Sequence, residues 1–162
     1  EAARWSPSCY NDQPWHFVVA NRSDDAGFQR ILGCLVPFNQ GWAHTAGALV
    51  VGVARQAFRH NGQLNAWAGY DLGQAMAAMA FQAVHMGLWT HQMGGFDPVA
   101  CRTALEIPPG LDPVVVMAVG RTGNPAQLPA DLVDQENGPR QRLPLSGMVH
   151  RGRFGVAPGD WD

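Results

Sequence analysis

At 162 residues the chain can bury one hydrophobic core, and 11 basic against 13 acidic residues leave a net charge of -2 with no basic run, which excludes a nucleic-acid or acidic-membrane surface. All 11 basic residues are arginine, so Schiff-base and Walker-type lysine chemistry are excluded as well. Charged residues make up 15% of the chain against about 25% in an ordinary soluble domain, which points to a surface shared with a second copy.

Residues 1–5 read as part of a helix, so the native protein is expected to extend beyond Glu1, with its N-terminal helix missing here. Next comes Ser6-Pro7-Ser8-Cys9-Tyr10-Asn11-Asp12-Gln13-Pro14-Trp15, a polar loop between prolines, leading into a strand predicted over 16–20. A helix is expected over 24–35, where Phe28, Ile31, Leu32 and Leu35 fall at helical spacing, and a second strand over 48–54. Residues 72–90 carry Met76, Met79, Phe81, Val84, Met86, Leu88 and Trp89 among alanines, without one Asp, Glu, Lys or Arg, and predict a helix buried on all sides. Its length approaches a membrane span, but Gln74, Gln82, His85 and the glycines make hydrocarbon a poor solvent for it, so no membrane is expected. A short helix over 97–105 opens on Asp97-Pro98, and a third strand spans 114–119. The Gly- and Pro-rich residues 139–162 read as an extended arm. No repeat or linker divides the chain, so 1–162 is read as one α+β domain, a mixed sheet flanked by helices, with the charge-free helix at the centre of an intertwined homodimer.

Three segments can carry chemistry. Ser8, Asn11 and Gln13 can offer uncharged donors and acceptors to a flat heterocycle or a polyol, although on residue types alone a turn capped by Ser and Asn is the commoner explanation of such a loop. Met93-Gly94-Gly95 lets the backbone approach a ligand, with a plain helix C-cap as the alternative. Arg140 and Arg142, alternating in an extended segment, can point two guanidinia at one anion, with a solvated pair as the alternative. The six histidines show no HExxH-type pair, so no metal is expected. Cys9, Cys34 and Cys101 are odd in number, with no CxxC and no secretory pattern, which predicts a reducing, cytoplasmic setting and no disulfide framework.

Pro7-Ser8-Cys9-x-Asn11-x-Gln13-Pro14-Trp15, followed by Phe17-Val18-Val19, resembles the first internal signature of the FMN-dependent nitroreductase family. The resemblance continues through Trp42-Ala43, Asp71-Leu72-Gly73, Gly87-Leu88-Trp89 and Met93-Gly94-Gly95-Phe96-Asp97, covering nearly the whole chain. It implies a nitroreductase-like fold and an FMN site at a homodimer interface, with Pro7, Ser8, Cys9, Asn11 and Gln13 from one subunit and the Met93, Gly94 and Gly95 turn from the other. It further implies that Arg140 and Arg142 bind the FMN phosphate and that Asn39 reaches the flavin or ribityl groups. Trp42 stands where relatives often carry a lysine. The implied reaction is ping-pong: NADPH or NADH delivers hydride to the flavin, leaves, and a nitroaromatic, quinone or similar electron-poor molecule takes its place. No side chain is assigned as acid or base, since the cofactor carries the chemistry. Two other readings stand beside it, a reductive dehalogenase or flavin-consuming branch of the same superfamily and a non-catalytic flavin-binding module.

Overall fold

In the computed structural model, which describes residues 1–157 and 159, four strands form one sheet: β1 (Trp15–Asn21), β2 (Ala48–Arg55), β3 (Trp89–Met93) and β4 (Leu111–Gly120). Their order is β1-β2-β4-β3 and every neighbouring pair is antiparallel, which corrects the expected mixed sheet. The alternation of strands and helices does make β2 and β3 run the same way. However, β4 inserts between them, and each hydrogen-bonded contact becomes antiparallel. The α+β class holds, with five helices over the described residues: α1 (Asp25–Gly33), α2 (Pro37–Ala43), α3 (Ala68–His85), α4 (Pro98–Ala104) and α5 (Ala130–Asn137).

The sheet is covered on both faces, which is why β2 reads as a continuous apolar run. Leu49, Val51 and Val53 join Phe28, Ile31 and Val116 on one face, and Val50 and Ala54 join Leu72, Met76 and Met117 on the other. β4 begins three residues before the predicted strand because Pro113 is tolerated at a register shift, where Gly52 pairs with Val115 and Val53 with Pro113. α1 is capped by the Asp24 carboxylate, which accepts from Gly27 N at 2.9 Å, and α4 by Asp97, which accepts from Val99 N and Ala100 N.

The helix expected over 72–90 differs most. α3 starts earlier and ends at His85, two residues before Gly87, whose φ of 71° lets Leu88 N return to Ala83 O at 2.8 Å and Gly87 N to Val84 O at 3.0 Å. After that reversal Trp89 and Thr90 begin the edge strand β3 rather than another helical turn. Nor is α3 buried on all sides within one chain. Leu72, Ala75 and Met76 face the sheet, whereas Phe81 is 77% exposed and Val84 and Met86 also face outward. No helix among the described residues is long and apolar enough to cross a membrane.

Glu1–Pro129 and Ala130–Asp162 are separate compact units. Among its described residues the second holds α5 and a 3-10 turn, Leu145–Gly147. The arm expected over 139–162 includes Pro158 and residues 160–162, which lie outside the described residues.

Gly52 marks where α3 meets the sheet: a Cβ there would lie 3.0 Å from Val115 Cγ1 and 3.1 Å from Met76 Sδ. Gly52→Val is therefore expected to destabilise the chain by about 1–3 kcal/mol, read as a lower urea midpoint. Burial, together with the neighbouring Cys34 thiol, pushes the Cys101 thiol from 9.0 up to about 12, and burial also raises Cys34. Both folded-state values lie above the unfolded one, so this contribution is complete below pH 9.0 and is lost as pH rises toward 12. Urea midpoints followed upward from that pH should fall in the wild type and fall less in Cys101→Ala.

Candidate functional site

The loop before β1 is held in an unusual shape. Tyr10, Asn11 and Gln13 all have left-handed φ, at 55°, 53° and 50°. Such conformations in non-glycine residues cost about 1 kcal/mol or more each and persist only where surroundings enforce them. Between Asn11 and Gln13 lies Asp12, whose carboxylate is almost wholly out of water. It accepts from Arg55 Nη2 at 2.6 Å and from Arg59 N at 2.7 Å. Arg59 also donates through Nε to the Asp12 carbonyl at 3.1 Å and through Nη2 to the Gln13 carbonyl at 3.3 Å. Loss of water and then the Arg59 and Arg55 charges hold the His16 imidazole below its usual range, so it adds no further charge at neutral pH.

Inside the loop, Ser8 Oγ accepts from Gln13 N at 3.0 Å and Asn11 Oδ1 accepts from Gln13 Nε2 at 3.2 Å. Acceptor capacity is thus used internally, and the Ser8 hydroxyl proton and the Asn11 NH2 group are left as donors. Gln13 serves the loop itself. Pro7, Ser8 and Cys9 then line a depression of about 290 Å³ with Trp67, Tyr70, Asp71 and Gln74 of the α3 entry. Trp67 and Tyr70 meet edge to face at 6.2 Å, and Asp71, 2% exposed, accepts from Cys9 N at 3.1 Å. The result is a mostly apolar groove whose polar groups include the Ser8 hydroxyl and the Gln74 amide.

A second cluster forms where β3 ends. The Gly95 carbonyl accepts from Asn39 Nδ2 at 2.9 Å and from Val36 N at 3.1 Å. A Cβ on Gly95 would fall 2.6 Å from Asn39 Nδ2, whereas one on Gly94 would meet nothing within 4 Å. Met93 turns its side chain into the core. The Gly94-Gly95 pair follows a strand, so it is not a helix C-cap; that duty falls to Gly87.

The two clusters are on opposite sides of the sheet. The loop enters β1 and its groove lies against α3, while Gly94 leaves β3, at the other edge, and Asn39 belongs to α2 on the other face. Three strand spacings, about 14 Å, separate those edges. Arg140 and Arg142 are exposed in the second unit, where Arg142 Nη1 donates to the Gln141 carbonyl at 2.8 Å. Trp42 packs on His91, ring centres 4.7 Å apart. Among the described residues no group of three His, Cys, Asp or Glu side chains could hold a metal ion.

The sequence model of the Nitroreductase family matches residues 34–121. The chain belongs to the nitroreductase family. A solved oxidoreductase containing FMN superposes with a TM-score of 0.88 at 33% identity, covering 96% of this chain and 79% of its own. A nitroreductase family protein from Clostridium difficile 630 shares the fold with a TM-score of 0.70 at 20% identity, over 94% of this chain and 82% of its own. An uncharacterized 15.4 kDa protein of Mycolicibacterium smegmatis is 32% identical over 146 residues, 86% of this chain and 97% of that one.

For this nitroreductase-family chain, residue reading alone missed Asp12, Arg55 and Arg59, since partners 43 and 47 residues apart share no local pattern. Trp67, Tyr70, Asp71 and Gln74 lie at helical spacing and were legible in principle, but only once α3 is seen to begin at Ala68. Gly95→Ala is expected to cost about 1–3 kcal/mol of unfolding free energy, while Gly94→Ala stays within about 1 kcal/mol of wild type, both measured by urea denaturation.

Proposed function

We propose that the chain is an FMN-dependent oxidoreductase of the cytoplasm that moves hydride from NADPH or NADH to small electron-poor acceptors such as nitroaromatics and quinones, acting as a homodimer. The observation that carries this reading is the solved FMN-containing oxidoreductase, similar over nearly the whole of this chain. Three features of the residues fit the cofactor. The loop keeps the Ser8 and Asn11 donors free for an acceptor-rich heterocycle edge. Trp67 and Tyr70 offer apolar walls to a flat ring. The open space beside Gly94, which packing within the chain does not require, lets a ligand approach the backbone.

When bound, FMN supplies the two-electron hydride chemistry at its N5. The protein's part is to hold and shield. Pro7, Ser8, Cys9, Asn11 and Gln13 form the rigid rim, with Gln13 bracing the other two polar side chains. Met93 anchors the turn from the core while Gly94 and Gly95 present backbone, and Asn39 fixes that turn through the Gly95 carbonyl. Arg140 and Arg142 are assigned to the phosphate, for which forked guanidinia are suited. No side chain need act as acid or base.

The separation of the two clusters across the sheet supports the dimer, because a second copy can bring one chain's loop toward the other's Gly94 turn. The uncharged outer face of α3, with Phe81 and Val84 exposed, supports it too. The purified full-length protein is expected to carry FMN, to have the mass of two chains and to oxidise NADPH when a nitroaromatic is added. Ser8→Ala with Asn11→Ala is expected to weaken FMN binding at least about tenfold, near 1.4 kcal/mol. A single-chain mass with no flavin taken up at any concentration would overturn the reading.

A further inference from the structure

We propose that Asp12 is a positioning residue for cofactor binding: with Arg55 and Arg59 it fixes residues 8–13 in their ligand-ready shape before any ligand arrives. The inference rests on the reading of that loop as part of the FMN site.

Two kinds of contact converge on Asp12. One is the ion pair to Arg55, with a 2.6 Å contact and an Asp12 side chain only 2% accessible. An ion pair alone would anchor the chain at one point. The other kind sets shape: Arg59 N caps the second carboxylate oxygen, and its guanidinium takes the successive carbonyls of Asp12 and Gln13. Bonds to consecutive main-chain carbonyls define the orientation of the peptides on both sides of Gln13. Those peptides flank the left-handed Gln13, which would otherwise relax to an ordinary backbone well, and the buried Asp12 carboxylate anchors the residue between it and the left-handed Asn11.

None of these bonds uses the Ser8 hydroxyl proton or the Asn11 NH2 group, so the clamp holds the loop from behind and leaves its donor face free. The Arg55 N bond to the Pro14 carbonyl at 2.8 Å extends the same hold to the start of β1. A loop ordered in this way binds without an ordering cost at the moment of association.

The test compares Asp12→Asn, which removes the charge at constant shape, with Arg59→Gln, which keeps the Asp12–Arg55 pair and removes the two guanidinium bonds to the carbonyls. Amide exchange of residues 8–13 in the flavin-free protein is expected to speed up in both variants. FMN dissociation constants should rise about tenfold or more, with turnover at saturating FMN within about twofold of wild type. In an Asn11→Ala background Asp12→Asn should weaken FMN binding less than it does alone, since one of the groups it positions is already gone. If both variants fold and bind FMN as tightly as wild type, or if the Asp12 and Asn11 effects simply multiply while loop exchange is unchanged, the proposal is wrong and the FMN reading survives. If the wild-type protein itself takes up no FMN, the reading fails and the proposal falls with it. Should Asp12→Asn not fold, Arg59→Gln decides alone by the same exchange and affinity measurements.

Discussion

A carboxylate removed from water has to be matched by cations and N–H donors, and in this chain that requirement ties three separate stretches of sequence together. Asp12 sits in the loop before β1, Arg55 ends β2 and Arg59 lies in the connection that follows. Removing one partner from such a group leaves a buried charge uncompensated, commonly at about 3–5 kcal/mol. The loop therefore cannot drift away from the end of β2 without breaking several strong bonds at once. The backbone strain at Tyr10, Asn11 and Gln13 is tolerated for the same reason. Tyr10 itself packs edge-on against Phe58 at 5.8 Å, close to Arg59, so the strained residue also touches the segment that restrains it.

The sheet converts that local constraint into a division of the molecule. With the order β1-β2-β4-β3, the clamped loop lies at one edge and the Gly94 turn at the other, and β2 and β4 fill the centre. Each central strand is buried on both faces, so neither edge can move toward the other without unpacking the core. α3 presses on one face at Gly52, where a Cβ would crowd Val115 and Met76, and leaves an apolar outer face uncovered. The order of the strands thus holds the loop and the Gly94 turn apart within one chain, with the apolar outer face of α3 on the side of the loop.

What could be read from residues, and what could not, follows from the range of the forces involved. The three strands over 16–20, 48–54 and 114–119 and the helices at 24–35 and 97–105 were legible because apolar periodicity and Asp or Pro caps act within a few residues. β3 was hidden because the run 72–90 has no charged residue or proline to mark a break. Only the left-handed Gly87 separates helix from strand there, and glycines at 69 and 73 inside the same helix look no different in sequence. α2 escaped notice because seven residues containing Gly41 carry too little periodicity, leaving Pro37 as its one signal. The antiparallel sheet could not be read at all, because strand order depends on which strand inserts between which. At the site, the loop and the glycine pair were visible as motifs. The clamp behind the loop was not, because it depends on contacts more than forty residues apart.

The two adjacent glycines show how a motif can merge two physical demands. Gly95 is required by the chain itself, since Asn39 and Val36 fill the space where its Cβ would sit and both donate to its carbonyl. Gly94 is not required in that way: a side chain there would meet nothing within 4 Å, and its φ is not in the left-handed range. Gly33, Gly41, Gly69 and Gly73 have the same open surroundings, so the space beside Gly94 permits a close approach to the backbone without requiring one. Asn39 fixes the direction of the Gly95 peptide with one of its two amide N–H groups, which leaves that side chain a second N–H and a carbonyl oxygen. The Gly95 peptide is therefore set from within the chain, by a residue 56 positions away in sequence, whereas Gly94 is not.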